Sequence, residues 1–160
     1  MKRFSTVFLR LAIVVAGAIV LALCLFTFWI AYKDFIYDIE LKVLSSVLFI
    51  GTILAAIPCF IALCQSYLLL GYIDAGRAFS EASVKALRII TRSAFADFLV
   101  CTLGGLPFFY VLAEIEDAPG LILIGMAIAG VAFVIFVFAS VLNRLLQEAL
   151  AIKSENDFTI

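Results

Sequence analysis

Two charged residues, Arg10 and Asp97, interrupt long apolar runs in this chain of 160 residues. A charged side chain inside a bilayer costs a few kcal/mol, so these two residues are the first candidates for a functional site. We favour the interpretation that Arg10 and Arg144 extend separately to the headgroups and that Asp97 is hydrated; the alternative is that Asp97 pairs with Arg10 or Arg144. The polar residues expected to share one layer near the cytoplasmic edge of the membrane are Arg10, Gln65, Ser66, Asp97, Asn143 and Arg144.

Enzymatic and metal chemistry find little support in the residue types. The chain has no His, which removes the commonest general base and the commonest metal ligand. Cys59 and Cys64 are five residues apart, so on a helix they point about 140° away from each other and cannot share a metal. We therefore expect no enzyme, no metal and no cofactor. An acidic loop is interpreted as a solvated turn, although its carboxylates could attract a divalent cation; it contains Glu114, Glu116 and Asp117.

The composition predicts where these residues are held. Hydrophobic residues make up 66% of the chain and charged residues 14%, whereas a soluble domain is about 45 to 50% apolar and about 25% charged. A soluble domain of this length could not bury that much apolar surface, so we expect lipid to solvate it. The net charge is only −1, which argues against direct binding of nucleic acid.

Four apolar runs have the length of about 20 residues that a helix needs to cross a bilayer. The sequence therefore predicts an all-α fold, a polytopic membrane protein whose four transmembrane helices form a bundle within one membrane domain, residues 1–160. The predicted spans are residues 7–30, 43–72, 94–113 and 121–142, with a cytoplasmic connector at 73–93 and a cytoplasmic tail at 143–160.

The positions of Lys and Arg predict the orientation, because cationic loops are retained in the cytoplasm. The opposite side of the membrane has only Lys33 and Lys42, beside several acidic residues. We expect a multi-pass protein of the bacterial plasma (inner) membrane with both termini in the cytoplasm. The nine cations on the cytoplasmic side are Lys2, Arg3, Arg10, Arg77, Lys85, Arg88, Arg92, Arg144 and Lys153.

The connector between the second and third spans has a helical pattern of its own, with Ser80 as its N-cap. Its apolar face would lie down in the headgroup plane, as in interfacial helices. Its basic face, formed by Lys85, Arg88 and Arg92, would meet anionic lipid or a cytoplasmic partner. The other interpretation is a solvated connector whose cations only set the topology.

Two prolines and a set of small residues are expected to shape the helices. Pro58 and Pro107 each remove a helical hydrogen bond and are predicted to kink the second and third spans. Such kinks could open a cavity for a lipid-like ligand or form a hinge, although they usually only shape packing. Gly125, Ala129 and Gly130 in the fourth span favour close helix approach within the bundle. The alternative is that they join two copies of the chain in a homo-oligomer.

The fourth helix is predicted to continue past Leu142 as a cytoplasmic extension with an apolar stripe. Its last residues could dock in a partner groove or on a sheet edge, although most terminal peptides have no function. The extension's stripe comprises Leu142, Leu145, Leu146, Ala149 and Ile152, and the tail motif comprises Glu155, Asn156, Asp157, Phe158, Thr159 and Ile160.

These closing residues, with Leu142-Asn143-Arg144-Leu145-Leu146, resemble the end of a bacterial four-span family known as domain of unknown function 2975. The family typically ends in Glu-Asn-Asp-Leu-Thr-Ile, so Phe158 replaces a Leu here. The segment Phe79-Ser80-Glu81-Ala82-Ser83-Val84 resembles the family's Pro-Phe-Ser-x-x-Ser-Val, with Ala78 in place of the proline. The resemblance implies no established activity. It does suggest a partner, because such proteins are commonly encoded beside a small helix-turn-helix regulator.

Two functions remain in competition. The first is a regulatory or interaction protein that presents the connector helix and the tail to a cytoplasmic protein partner, such as a helix-turn-helix transcription regulator. The second is a small transporter, channel subunit or resistance protein that acts on a hydrophobic or lipid-like compound. An ion path would need polar residues through the middle of the bilayer, and the predicted spans place none there.

Overall fold

The structure is a computed structural model that describes the backbone of residues 2–37 and 41–157 and the side chains of residues 6–33 and 42–155. Within these ranges the chain is built of helices and short turns, and it contains no strand. The elements are α1 (Lys2–Tyr37), α2 (Leu41–Asp74), α3 (Glu81–Val100), a π-helical turn (Cys101–Gly105), α4 (Leu106–Ile115) and α5 (Gly120–Asp157).

Four helical segments are long and apolar enough to cross a membrane. The third of them combines α3, the π-helical turn and α4 into one continuous rod. Only 6 to 11% of the most apolar stretch of each segment is buried inside the protein. Since so much apolar surface faces outward, hydrocarbon must solvate it. The predicted all-α, four-span membrane fold is confirmed, and the helical segments that contain the spans are Thr6–Lys33, Lys42–Asp74, Glu81–Ile115 and Gly120–Glu155.

The helix predicted in the connector begins where the sequence places it. The Oγ of Ser80, the N-cap residue, accepts a hydrogen bond from the Ser83 amide at 3.3 Å, as a helix start requires. The expectation that this helix lies separately in the headgroup plane is wrong, because α3 runs without a break from Glu81 to Val100 into the third span. A straight continuation costs no helical hydrogen bonds, whereas a bend there would expose several. The connector helix is therefore the first part of the third transmembrane helix.

The turn between α2 and α3 is held by hydrogen bonds at both ends. Gly76 adopts a left-handed conformation, φ 69°, which glycine adopts without steric penalty. The amides of Gly76 and Arg77 donate to Ile73 O and Tyr72 O, which caps the end of α2 as a Schellman motif. Ser83 is completely buried, and its hydroxyl donates back to Arg77 O at 3.1 Å. The turn is thus joined to the first turn of α3.

The two prolines differ in their effect on the backbone. The α2 helix stays a single α-helix through Pro58. Before Pro107 the Leu106 amide donates to Cys101 O, five residues earlier, which forms the wider π-helical turn. The wider turn relieves the collision that a proline ring makes with the carbonyl four residues before it, here that of Leu103.

The helices pack in chain order. The α1 helix packs on α2, α2 packs on α3, and α3 with α4 packs on α5. Extensive contact between α1 and α5 is absent from the described ranges, so the four spans form an open row. Interhelical ring contacts join Phe28 to Phe49 at 5.6 Å, Phe95 to Phe136 at 5.1 Å and Phe98 to Phe133 at 5.3 Å.

Small residues allow the closest of these contacts. A methyl group at Gly125 of α5 would lie 2.9 Å from the Phe109 side chain of α4, closer than packed atoms approach. Ala129, one turn further, is buried, whereas Gly130 faces open space. The Gly125 side of α5 is therefore used inside the molecule.

Candidate functional site

The best-defined polar contact between spans joins the start of α1 to the end of α2. Arg10 Nη2 lies 2.8 Å from Asp74 Oδ2, and the Arg10 guanidinium lies 5.3 Å from the centre of the Tyr67 ring. The Arg10 Nε is buried and has no hydrogen-bond partner. Both charged side chains stay more than a third exposed, so the ion pair contributes little to stability. Its role is to set the register of α1 against α2.

Asp97 lies near the middle of the third span, 16 residues after Glu81 and 18 before Ile115. Its neighbours Phe95 and Phe98 pack on Phe136 and Phe133, which fall inside the apolar run of α5. On the α2 side, Asp97 is close enough to Cys59 for an electrostatic interaction. The contacts on both sides therefore place this carboxylate among apolar residues of the neighbouring spans.

The structure does not bring Asp97 together with the arginines of the predicted polar layer. Along α2, Cys59 at the level of Asp97 and Tyr67 at the level of Arg10 are eight residues apart, which is about 12 Å at about 1.5 Å per residue. Arg144 lies eight residues beyond Phe136, again about 12 Å. Asp97 therefore pairs with neither arginine.

Arg144 and Asn143, two other members of the predicted layer, have partners within α5. Arg144 Nε donates to Glu148 Oε1 at 3.0 Å, an i,i+4 pair on the surface of α5. The Gln147 side-chain amide lies 3.4 Å from Asn143 Oδ1. Gln65 is half-buried on α2. These residues lie at the end of the molecule that holds Arg10, apart from Asp97.

Asp97 itself is half-buried and has no ion-pair partner among the described side chains. The thiols of Cys59 on α2 and Cys101 in the π-helical turn lie within electrostatic range of its carboxylate. Nowhere in residues 6–33 and 42–155 do three His, Cys, Asp or Glu side chains come together in a group that could hold a metal ion. An unpaired carboxylate at this depth can take up a proton or attract a cationic group from the bilayer.

The predicted basic face is displayed on the surface of α3. Lys85, Arg88 and Arg92 are exposed, and no ion pair holds any of the three within the described part of the chain. The opposite face is buried against α2 and α5 through residues that include Ala86 and Leu87, which are 4% and 3% exposed. The helix therefore cannot rotate to hide these cations.

The α5 helix continues well past Leu142, as far as Asp157. Leu145 and Ile152, seven residues apart on one face, are 56% and 65% exposed. Leu146 and Ala149 of the predicted stripe are half-buried. In the tail motif, Glu155 is exposed and Asn156 and Asp157 are helical, while Phe158, Thr159 and Ile160 lie outside the described residues.

Sequence reasoning missed the partner of Arg10. Asp74 ends the second apolar run, and Tyr67 lies two turns before it on the same helix. An acidic residue at the end of one run and a basic residue near the start of another would have suggested the pair, since the two ends meet on one side of the membrane. The role of Ser83 was also missed, because its partner Arg77 O belongs to the preceding turn.

The fold defines this chain as a multi-pass, all-helical membrane protein. The family described as "Protein of unknown function (DUF2975)" matches residues 5–160. The chain is also 44% identical over 164 residues to the "Uncharacterized membrane protein YoaS" of Bacillus subtilis (strain 168), with all of both chains covered. No solved structure matches. The chain belongs to this family of membrane proteins, as the resemblance of its tail and its Phe79–Val84 segment indicates.

Proposed function

We propose that this protein is a membrane-embedded regulatory or interaction protein whose cytoplasmic end recruits a protein partner. The extension of α5 carries the partner-binding surface, with Leu145 and Ile152 as its apolar anchors. Two exposed apolar residues at i and i+7 on a helix outside the apolar span suit the helix-in-groove mode of recognition. The partner suggested by the family resemblance is a small helix-turn-helix transcription regulator.

The exposure of Leu145 and Ile152 is the observation that carries the proposal. Lipid solvates exposed apolar residues within the spans, but these two lie three or more residues beyond Leu142, where the apolar run ends. Exposed apolar side chains in water are costly, at about 25 cal/mol per Å² of apolar surface. A partner that covers them would gain that free energy.

Co-purification tests the proposal directly. The full chain is expressed with a small helix-turn-helix regulator of the kind that the family resemblance suggests, and the regulator recovered with the membrane protein is measured. Leu145→Glu with Ile152→Glu should abolish recovery, because two charges then occupy the apolar contact. The matched control, Gln147→Glu with Ser154→Glu, adds the same charge on the opposite face of the extension and should leave recovery unchanged.

The role of the tail is separable from that of the extension. Removal of Ser154 to Ile160 should lower recovery of the regulator if the tail motif also contacts it. Equal recovery by the intact chain and the double Leu145/Ile152 variant would overturn the proposal. So would failure of the intact chain to retain the regulator at all.

The proposal requires both termini to be cytoplasmic. The excess of Lys and Arg at the end that carries Arg10, Arg88 and Arg144 supports this orientation. Fusion of alkaline phosphatase, active only outside the cytoplasm, and of green fluorescent protein to the carboxyl terminus tests it. We expect fluorescence without phosphatase activity, and the reverse result would exclude a cytoplasmic partner.

The carboxylate of Asp97, which lies in an apolar run without an ion pair among the described side chains, favours a second candidate function. A small transporter or resistance protein for a hydrophobic, cationic compound would need such a carboxylate within the bilayer. Transport of a lipophilic cation into proteoliposomes should then be lost with Asp97→Asn and kept with Asp74→Asn. Equal transport by all three proteins, or none by the wild type, would remove this candidate.

A further inference from the structure

One exposed strip runs along α3 and into the π-helical turn. Its residues recur at intervals of three and four, which places them on one side of the helix. The first part of the strip is charged and the second part is apolar, with no polar side chain between Arg92 and the end. The strip consists of Glu81, Lys85, Arg88, Arg92, Phe95, Leu99 and Leu103, and all seven side chains are exposed.

The charged part of the strip has an excess of positive charge. The three cations Lys85, Arg88 and Arg92 form no ion pair with any described residue, and Glu81 at the end is the strip's only acidic residue. The back of the helix is buried against α2 and α5. The cations therefore keep their outward position, and the counter-charge must come from outside the molecule.

The depth of the strip identifies the source of that counter-charge. The apolar run of the third span begins directly after Arg92. Arg88 and Lys85 lie four and seven residues before Arg92, about 6 Å and about 10 Å further toward the membrane surface at about 1.5 Å per residue. From Arg92 to Leu103 the strip extends about 16 Å into the hydrocarbon, which is about the thickness of one leaflet. These two cations are thus at the level of lipid phosphates. Arg92 is deeper and reaches the same level by extending its side chain outward.

The apolar part of the strip distinguishes a lipid from a soluble protein. Phe95, Leu99 and Leu103 are 44%, 38% and 72% exposed and continue the strip into the hydrocarbon region. An acidic protein could reach Lys85 but not the apolar half. A phospholipid matches both halves, because its phosphate is joined to acyl chains that run parallel to the helix.

We propose that this strip is a binding site for one anionic phospholipid of the leaflet at this end of the protein. The phosphate diester lies between Lys85, Arg88 and Arg92, and an acyl chain packs along Phe95, Leu99 and Leu103. The site is independent of the partner-binding surface on α5, since α3 presents it to lipid rather than to the cytoplasm.

Native mass spectrometry of the full chain in detergent tests the proposal by counting bound lipids during titration. The probes are phosphatidylglycerol, phosphatidylcholine with the same acyl chains, and the water-soluble headgroup glycerophosphoglycerol. We expect one tightly held phosphatidylglycerol, with the other two probes at least about tenfold weaker, because each supplies only half of the complementarity.

The variants separate the strip from general charge. Arg88→Gln should weaken phosphatidylglycerol binding about fivefold, and Lys85→Gln with Arg88→Gln and Arg92→Gln about a hundredfold. The control variant changes Arg77, Arg144 and Lys153 to Gln, which removes the same charge from the same end of the protein, and should bind within about twofold of wild type. All the substituted side chains are exposed, and the elution profile and helicity of each variant verify its fold.

Three results would overturn the site. Equal binding of phosphatidylglycerol and phosphatidylcholine would show that the cations take no part. An equal loss in both triple variants would show that only the net charge at that end matters. If glycerophosphoglycerol bound as tightly as the lipid, the acyl chain would make no contact with Phe95, Leu99 and Leu103.

Discussion

Two acidic residues of this protein, Asp74 and Asp97, differ in their surroundings and in their ionic partners. Asp74 lies at the end of α2, bonded at 2.8 Å to Arg10 and open to the membrane surface. Asp97 lies among apolar residues of neighbouring spans without an ionic partner in the described part of the chain. A charge near the surface is inexpensive, whereas a charge in the hydrocarbon costs free energy. The comparison teaches that the two carboxylates should respond to substitution in opposite ways.

The largest expected effect is a gain of stability at Asp97. Asp97→Leu removes an unpaired carboxylate from the apolar part of the third span and should raise the free energy of unfolding by about 2 kcal/mol. Reversible unfolding in bicelles measures it. Asp74→Leu is the matched control and should lower stability instead, because it leaves Arg10 without its ionic partner. A loss of stability with Asp97→Leu would mean that the carboxylate has a structural partner.

The next effect concerns the turn that follows Asp74. Ser83→Ala removes the hydroxyl that bonds Arg77 O and the Ser80 hydroxyl, and should cost about 1 kcal/mol. The same unfolding measurement applies. Ser154→Ala, which removes a local bond to Ala151 O on the exposed end of α5, should cost nothing measurable. Equal effects would show that the buried serine is not what holds the turn.

A smaller effect tests the partner of Arg10. In a double-mutant cycle, Arg10→Gln and Asp74→Asn should show a coupling free energy below about 1 kcal/mol that declines with added salt, since both side chains are partly exposed. The parallel cycle of Arg10→Gln with Asp97→Asn should show no coupling. Coupling in the second cycle would restore the single polar layer.

The smallest effect is expected at Tyr67. Tyr67→Leu keeps an apolar side chain but removes the ring beneath the Arg10 guanidinium, and should cost about 0.5 kcal/mol. Tyr72→Leu, on the same helix, is the control. A cost above that of breaking the Arg10–Asp74 pair would make the ring the main contact of Arg10.

Much of the fold was predictable because the signals for it are local. The spans followed from the length and apolarity of the runs, and the start of α3 followed from Ser80 and the pattern after it. The sequence did not show whether the connector helix ends before the third span. The amphipathic pattern of residues 81–93 fits an interfacial helix and the first turns of a longer helix equally well. Only the unbroken hydrogen bonding from Glu81 to Val100 decides between them.

The residues of the candidate site could be predicted from the sequence, but their arrangement could not. The sequence marked Arg10, Asp97 and the cations of α3 because charges are rare in apolar runs. It could not pair them, since the partner of a side chain depends on the register of neighbouring helices, which apolar periodicity hardly constrains in a lipid environment.

By itself, the sequence determined that this chain is a membrane protein, how many spans it has and which charged residues lie in them. The reason is that the free energy of transfer to hydrocarbon depends on the composition of each segment. The tertiary structure decided that Arg10 meets Asp74, that Asp97 is left alone at depth, and that three cations and three apolar side chains share one lipid-facing strip. These features depend on how the helices align with one another. That alignment comes from contacts such as those of Phe95 with Phe136 and Gly125 with Phe109, which join residues far apart in the chain.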